Sequence, residues 1–484
     1  MSTHYLACDL GAESGRLMLG TIADDRLSIE EIHRFPNTPE RIGESLCWNI
    51  TRLWAELKDG LNKIWQRNLP ISGISTASWG LDYLFLDQNH NVISPVYHYR
   101  DSRTALGVER VRTRVDWKTV FAETGIQFMP INTIYQLAAE DQEWLRRAEQ
   151  LLLIGDAFNF FLSGVARAEI SLASTTQLYN PFRKAWSQRL MNDLEIPSRL
   201  FPAIVPSGTI LGSVKTEWLP FEAQVIASCS HDTGAAVAGV PAEGEDWAYI
   251  SSGTWSLLGV ELSKPIITAQ SRELNFTNEI GFGGTVRLLR NIVGLWIVQE
   301  CRRDWADRGQ LLDYARLTEM AAQVPAFVSL IDPSDPRFVA PDDMPAKIAA
   351  YCRETNQPEP SNPAATVRCA LESLALLYRR RLSEVETLIG RKVRRLHIVG
   401  GGSKNTLLNQ FTANATRRPV LAGPAEATAI GNLVVQVIAL GQLPSLQAAR
   451  DLVRRSFDVA TFEPIDRDRW EEAYERFTEL CARA

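Results

Sequence analysis

Residues 4–22 read HYLACDLGAESGRLMLGTI: an apolar, β-prone run, a turn built on GAESG, and a second apolar run. Turn residues between two β-prone runs predict a hairpin. LSIEEIHRF (27–35) alternates like a third strand. Residues 247–262, WAYISSGTWSLLGVEL, repeat the device as strand, SSGT turn and strand. PAEGED (241–246), the best turn-rich boundary in the chain, stands just before this second copy. Two halves that open alike predict two α/β domains of similar topology, 1–241 and 242–484.

The rest of the chain supports α/β order. ITRLWAELKDGLNKIWQR (50–67) places Leu53, Trp54, Leu57, Leu61, Ile64 and Trp65 at helical spacing. ISGISTASWG (71–80) reads as a strand running into a glycine turn, and DYLFLD (82–87) as another strand. Residues 105–200 read as mostly helical. AQVIASCSHDTGAAVAGV (223–240) gives a buried strand, a polar corner and a small-residue helix. The proline-rich stretch 332–363 reads as a long surface excursion. A helix over 364–390 follows, and then RRLHIVGGGSKNTLLNQFTANATRRPVLAGPAEATAIGNLVVQVIALG (394–441). That last stretch is a parallel βαβ pattern with a ligand-type turn after its strand.

Composition narrows the function. In 484 residues, 45% hydrophobic and 22% charged content argues against a disordered chain. Lys+Arg of 51 against Asp+Glu of 57 gives a net charge of −6, which attracts neither nucleic acid nor an anionic membrane. It leaves room for one basic pocket holding a phosphorylated ligand. Seven scattered cysteines without a Cys-x-x-Cys pair favour reduced cytosolic thiols. Cys352 and Cys369 could form a bridge, with buried free thiols the favoured reading. MSTHYLACDLG has no signal-peptide pattern, and AIGNLVVQVIALG is too short to span a bilayer. A cytoplasmic location is expected.

Each candidate site has a blander alternative. In DLGAESGR (9–16), successive backbone N–H groups could form an anion nest, with Ser14 adding a hydroxyl, Arg16 a charge for phosphate, and Asp9 a carboxylate for hydrated Mg²⁺. The alternative is a plain hairpin. GxxxxGK[ST] and GxGxxG are both absent, which excludes P-loop and Rossmann sites. SSGTWS (251–256) offers a second nest with Gly253 and Thr254. Asp232, between a strand and a small-residue helix, could accept a proton from a substrate hydroxyl, or could simply cap the helix. His231 suits a substrate or structural hydrogen bond better than a metal. The GGGS of 400–403 would let a flat ring approach the backbone, and Asn405 with AGPAEATAIGN (422–432) would complete a nucleoside-sized pocket. Trp79 offers a face to a sugar ring, although core packing is the commoner fate of Trp. The arginine tracts YRRRL and RKVRR read as solvated charge.

Together, DLGAESGRLMLG, SWGLDY, YRDSR, SHDTGAAV, ISSGTW, RNIVGLWIVQE and HIVGGGSKNTLLNQ resemble the FGGY carbohydrate kinases over residues 5 to about 465. The resemblance implies two actin/hexokinase/Hsp70-like (ribonuclease H-like) domains with an ATP cleft between them. Within the family the set looks like the branch acting on L-rhamnulose, which implies transfer of phosphate from ATP to its C1 hydroxyl with Mg²⁺. By motif, Asp232 is the general base. Gly80, His231, Asp232, Thr233 and Asn291 contact sugar. Ala12, Glu13, Ser14, Gly15 and Arg16 form the first phosphate loop. Thr254 sits in the second loop, Gln299 lies near the nucleotide, Gly401 lies at the adenosine, and Asp9 positions Mg²⁺ through water. The implied partners are small molecules, the sugar and ATP, without nucleic acid or membrane, on a monomer or weak homo-oligomer. The alternatives are a kinase for a related ketose such as L-fuculose and a catalytically silent sugar-binding regulator. An Hsp70-like ATPase should carry a further substrate-binding domain.

Overall fold

The hairpin at the start of the chain seeds a sheet. In the computed structural model, which describes residues 2–219 and 222–483, Thr3–Leu10 (β1), Ser14–Ala23 (β2) and Arg26–Pro36 (β3) form an antiparallel meander. The helix Ile50–Gln66 (α1) leads to Ile71–Ser78 (β4), which lies parallel to β1. After the helices Ile154–Ser163 (α2) and Ile170–Thr175 (α3), the strands Thr209–Ser213 (β5) and Gln224–Ala227 (β6) complete the order β5-β6-β4-β1-β2-β3. Residues 5–10 of β1 are all buried, as expected of a strand covered on both faces. In α1 the predicted stripe holds at Leu53, Leu57, Leu61 and Ile64, each contributing about 1.5–3 kcal/mol on burial. Trp65 falls outside the stripe and is 52% exposed.

The second copy repeats this plan. The short helix Asp232–Ala238 (α4) is followed by Trp247–Ser252 (β7), antiparallel to Trp255–Leu262 (β8). Val286–Val293 (β9) lies beside β8, and the helices Trp296–Asp307 (α5) and Pro363–Ile389 (α6) follow. Arg395–Val399 (β10) is parallel to β7, and Val420–Ala422 (β11) is parallel to β10, with Thr406–Thr416 (α7) between them. Ala460–Phe462 (β12) closes a seven-stranded sheet in the order Thr277–Ile280, β9, β8, β7, β10, β11, β12. Each sheet therefore has a central strand with its own hairpin on one side, and on the other two parallel strands followed by an antiparallel edge strand.

Residues 332–363 are not a surface excursion. Phe338, Met344, Ile348, Tyr351 and Cys352 are buried there. Pro336, Pro345 and Pro363 each stand at the start of a helix, where the missing N–H is no loss and the fixed φ suits the first turn. The arginine tract in α6 is also less solvated than its charge predicts. Arg381 is 8% exposed and bonds Glu384, and Arg379 pairs with Glu471.

The chain divides into two units that interleave. The first comprises Met1–Pro241, Glu261–Leu288 and Ala427–Ser456; the second comprises Ala242–Val260, Leu289–Glu426 and Phe457–Ala484. The helix Ala427–Ala439 (α8) thus belongs to the first unit. All seven cysteines are free thiols. Among the described residues, no helix is long and apolar enough to cross a membrane.

Candidate active site

In the first unit, β1, β4 and β6 run parallel, so their C-terminal ends share one edge of the sheet, the usual place for ligands in open α/β sheets. Three predicted segments leave from that edge. The hairpin turn follows β1, Trp79 and Gly80 follow β4, and Ser230–Asp232 follows β6. Backbone bonds hold them side by side: the Trp79 N–H donates to Leu10 O at 3.0 Å, and the Ser78 N–H to Ser230 O at 2.8 Å.

The hairpin turn is closed by the Gly11 N–H donating to Ser14 O at 3.0 Å, with exposed Glu13 at its tip beside half-buried Ala12. Buried Asn37 at the end of β3 braces it, with its N–H donating to Glu13 O and its side-chain amide to Gly11 O. Sequence reasoning missed Asn37, whose only signal was a polar residue just after a strand. Gly15 is needed for packing: a Cβ there would stand 2.2 Å from the Phe35 ring. Asp9 is 7% exposed, and Arg16, opposite it in register, donates to its carboxylate.

At the polar corner the N-cap of α4 is His231, whose side chain makes no capping bond, and Asp232 is the first helical residue. Capping therefore does not account for Asp232. Its side chain is 33% exposed, and its Oδ1 accepts from the N–H and Oγ1 of Thr233. The corner is fixed from behind by Glu169, which is fully buried. The Glu169 carboxylate accepts from the Ser230 N–H at 3.0 Å and from the Ser171 hydroxyl, and Ser171 Oγ accepts from the His231 N–H at 3.0 Å. Burial raises the Glu169 carboxyl above its ordinary value despite these donors.

The ring of His231 faces two ways. Nε2 lies 3.4 Å from Asp232 Oδ1, and a Cβ on Gly80 would stand 3.3 Å from Nε2. Gly80, His231, Asp232 and Thr233 are thus brought together. Behind the ring, Nδ1 lies 3.1 Å from Nη2 of Arg287 and 3.4 Å from Oε2 of Glu279, on the strand Thr277–Ile280. Sequence reasoning also missed this pair, although Arg287 and Arg290 in the largely apolar VRLLRNIV were a readable anomaly. Burial would raise the Glu279 carboxyl, but the Arg287 guanidinium outweighs it and holds it below its ordinary value.

Trp79 turns into the core. It is 5% exposed, its ring centroid lies 4.4 Å from that of Trp48, and its indole N–H donates to Asp82. The YRDSR motif is likewise structural on the contacts seen: Asp101 accepts from the Leu46 N–H, and Arg103 binds Glu140 at 2.7 Å and stacks on Tyr97.

In the second unit, the turn after β7 is held by the residues leading into α5. The Gly294 and Trp296 N–H groups both donate to Thr254 O. Gln299 lies in the first turns of α5, with its Oε1 shielded and unpartnered, and Asn291 stands on β9 three residues before Gly294. The glycines of GGGS divide their work. A Cβ on Gly402 would stand 2.0 Å from Ser252 Oγ, and one on Gly400, at φ +84, 2.9 Å from Ser252 O; around a Cβ on Gly401 nothing lies within 4 Å. Gly400 and Gly402 therefore seat the loop on the β7 hairpin, and Gly401 opens outward. Asn405 and Asn432 both have structural partners. Asn405 caps α7, and Asn432 is buried, donating to Ser75 O in the first unit's sheet.

Two family models match the chain. That of the FGGY family of carbohydrate kinases, N-terminal domain, matches residues 4–239, and that of the C-terminal domain matches 248–440. A rhamnulokinase of Enterococcus faecalis is 43% identical over 471 residues, covering 96% of this chain and 95% of its own. One of Bacteroides thetaiotaomicron is 40% identical over 484 residues, covering 99% of each. Among solved structures, a gluconate kinase from Lactobacillus acidophilus superposes with a TM-score of 0.82 at 15% identity, covering 99% of this chain and 98% of that one. Plasmodium falciparum glycerol kinase with ADP gives 0.78 at 16% identity, with coverage of 99% and 98%.

Proposed function

The chain belongs to the FGGY family of carbohydrate kinases and is a sugar kinase that uses ATP, and from that premise we propose that it phosphorylates the C1 hydroxyl of L-rhamnulose, with Asp232 as general base. Identities of 37–43% to relatives named rhamnulokinase, over nearly the whole chain, support the substrate. The observation that carries the base is the state of Asp232. It is a partly exposed carboxylate held by its neighbour Thr233, next to a histidine that packs closely on Gly80, at the C-terminal edge of the sheet.

Phosphoryl transfer asks for alignment and charge stabilisation more than covalent help. Backbone N–H groups of Ala12–Arg16 and of the Thr254 turn would hold phosphate oxygens, and Gly401 with Gln299 would receive the nucleoside. Among the described residues, no group of three His, Cys, Asp or Glu side chains could cage a metal. The single carboxylate of Asp9 suits Mg²⁺ that arrives on the phosphates and keeps its water shell. Such an ion supplies charge neutralisation. Asp232 takes the proton of the attacking hydroxyl, and His231 and Thr233 orient the sugar.

The test is ADP release with Mg-ATP over L-rhamnulose, L-fuculose, D-xylulose and glycerol, for the native protein and Asp232→Asn. L-Rhamnulose should lead, and the variant should lose roughly 10²–10⁴-fold in kcat while still binding sugar. Another sugar in the lead overturns the substrate; near-normal turnover by Asp232→Asn overturns the base.

A further inference from the structure

Behind His231 lies a buried ion pair that the proposed reaction does not itself use. Arg287 is fully buried and Glu279 is 5% exposed, and Arg287 Nη2 lies 3.1 Å from Glu279 Oε2. The guanidinium sits under the first turns of α4, where a Cβ on Gly234 would stand 3.5 Å from Nη2. Replacing such a pair by apolar side chains is often neutral or stabilising, so stability alone does not account for it.

Its geometry specifies a tautomer. A guanidinium carries only donors. With Arg287 Nη2 at 3.1 Å, His231 Nδ1 must offer its lone pair, so the ring proton of the neutral imidazole sits on Nε2. Nε2 is the atom that faces Asp232 and the backbone of Gly80. A donor and a carboxylate acceptor 3.4 Å apart match two neighbouring oxygens of a sugar, one giving up a proton and the other accepting a hydrogen bond. Glu279 pulls the other way. Its Oε2, 3.4 Å from Nδ1, would accept a proton placed there. The charged groups facing the ring are thus Asp232 on one side and Arg287 and Glu279 on the other, and Arg287 decides between the tautomers.

We infer that Arg287 and Glu279 are positioning residues acting through His231: the arginine holds the ring as the Nε2–H tautomer and aims that donor at the sugar oxygen beside the reacting hydroxyl, while Glu279 neutralises the arginine. This rests on the sugar-phosphorylating role proposed for the site. In Arg287→Met, Glu279 becomes the nearest partner of Nδ1 and draws the proton inward. Nε2 then presents a lone pair to the sugar and to Asp232. Arg287→Lys keeps a donor-only cation and is the conservative rescue.

Two measurements test this. In protein carrying ¹⁵N-histidine, a long-range ¹H–¹⁵N spectrum distinguishes protonated from bare ring nitrogens, and the signals of His231 are identified by their loss in His231→Gln. The native ring should show a bare Nδ1 and a protonated Nε2, and Arg287→Met should reverse them. In steady-state kinetics, Arg287→Met should raise KM for the sugar roughly tenfold to a hundredfold, the effect of one lost hydrogen bond at a desolvated site, and leave KM for ATP in place. The double variant Arg287→Met with Glu279→Met removes both buried charges and controls for folding. It should melt like the native protein and, freed of the pull of Glu279, show a smaller rise in sugar KM than Arg287→Met alone. A native ring protonated on Nδ1, or equal losses for sugar and ATP in the double variant, overturns the inference. The spectrum needs no substrate. A native Nε2–H ring in a protein that phosphorylates none of the sugars overturns the proposed function instead.

Discussion

Asp82 is 1% exposed and its carboxylate collects four donors: the Trp48 indole at 2.6 Å, the Trp79 indole at 2.9 Å, the Tyr99 N–H at 3.2 Å, and the Gln136 amide at 2.8 Å. Burial nonetheless pushes its pKa up to about 6 from 3.8. The folded state therefore holds more protons than the unfolded chain between about pH 4 and 6. The contribution of Asp82 to stability is fullest below pH 4 and is lost as pH rises through 6. Asp82→Asn removes that titration and turns an amide donor toward one of the four donors, at about 1–3 kcal/mol. The expected result is a variant of lower Tm whose deficit is largest near pH 4 and narrows by pH 6.5. Melts at a series of pH values check this, and a deficit that widens with pH defeats it. The same residue explains a misread motif. SWGLDY was legible as a strand leading into a glycine turn, and Gly80 does face His231. The direction of the Trp79 ring was not legible, because it is set by Asp82 together with Trp48, 31 residues away in sequence.

Strands and helices near the site were legible because periodicity and turn chemistry are local. The purposes of individual glycines were not, because the atom that forbids a side chain comes from elsewhere in the chain. Gly431, read as part of a nucleoside corner, lies where α8 crosses α4; a Cβ on it would stand 1.7 Å from Ala235 O. Alanine would add about 1 kcal/mol of helix propensity. The obstacle is a backbone carbonyl, which no rotamer change can move, and overpacking of this kind costs about 1–3 kcal/mol or more. The clash wins. Because α4 begins at Asp232, Gly431→Ala should lower Tm and also reduce kcat. Gly401→Ala makes the opposite case. Nothing surrounds that Cβ, so its Tm should stay at the native value while KM for ATP rises. Thermal melts alongside nucleotide titrations separate the two, and a destabilised Gly401→Ala or an unaffected Gly431→Ala would count against this division of roles.

The repeated hairpin revealed that the molecule has two similar sheets, and PAEGED marked where the second begins. It could not reveal that residues 427–456 return to the first, because no local pattern records which sheet a helix will cover. The hydrogen bonds record it. Gln436 donates to Leu6 O on β1, Asn432 to Ser75 O on β4, and Leu433 fills the space above Gly20 on β2. Those two amides also explain why α8, the most apolar late helix, keeps Asn and Gln in its buried face: each answers a buried carbonyl, and an unmet buried carbonyl costs about 1–3 kcal/mol. Further along, the Leu27 N–H donates to Ser456, and Arg450 binds Glu261 at 2.9 Å. A chain cut at the apparent boundary, 1–241, keeps all six strands of the first sheet but loses α8, the Arg450–Glu261 pair and the strand bearing Glu279. It would expose a broad apolar sheet face to water, a strong predisposition to association. The expected outcome for 1–241 expressed alone is native-like strand and helix content by circular dichroism, binding of an apolar dye, and no cooperative melt. A cooperative melt near the Tm of the whole chain would mean that the first 241 residues close their own core, and the interleaving would then be a matter of contact rather than of stability.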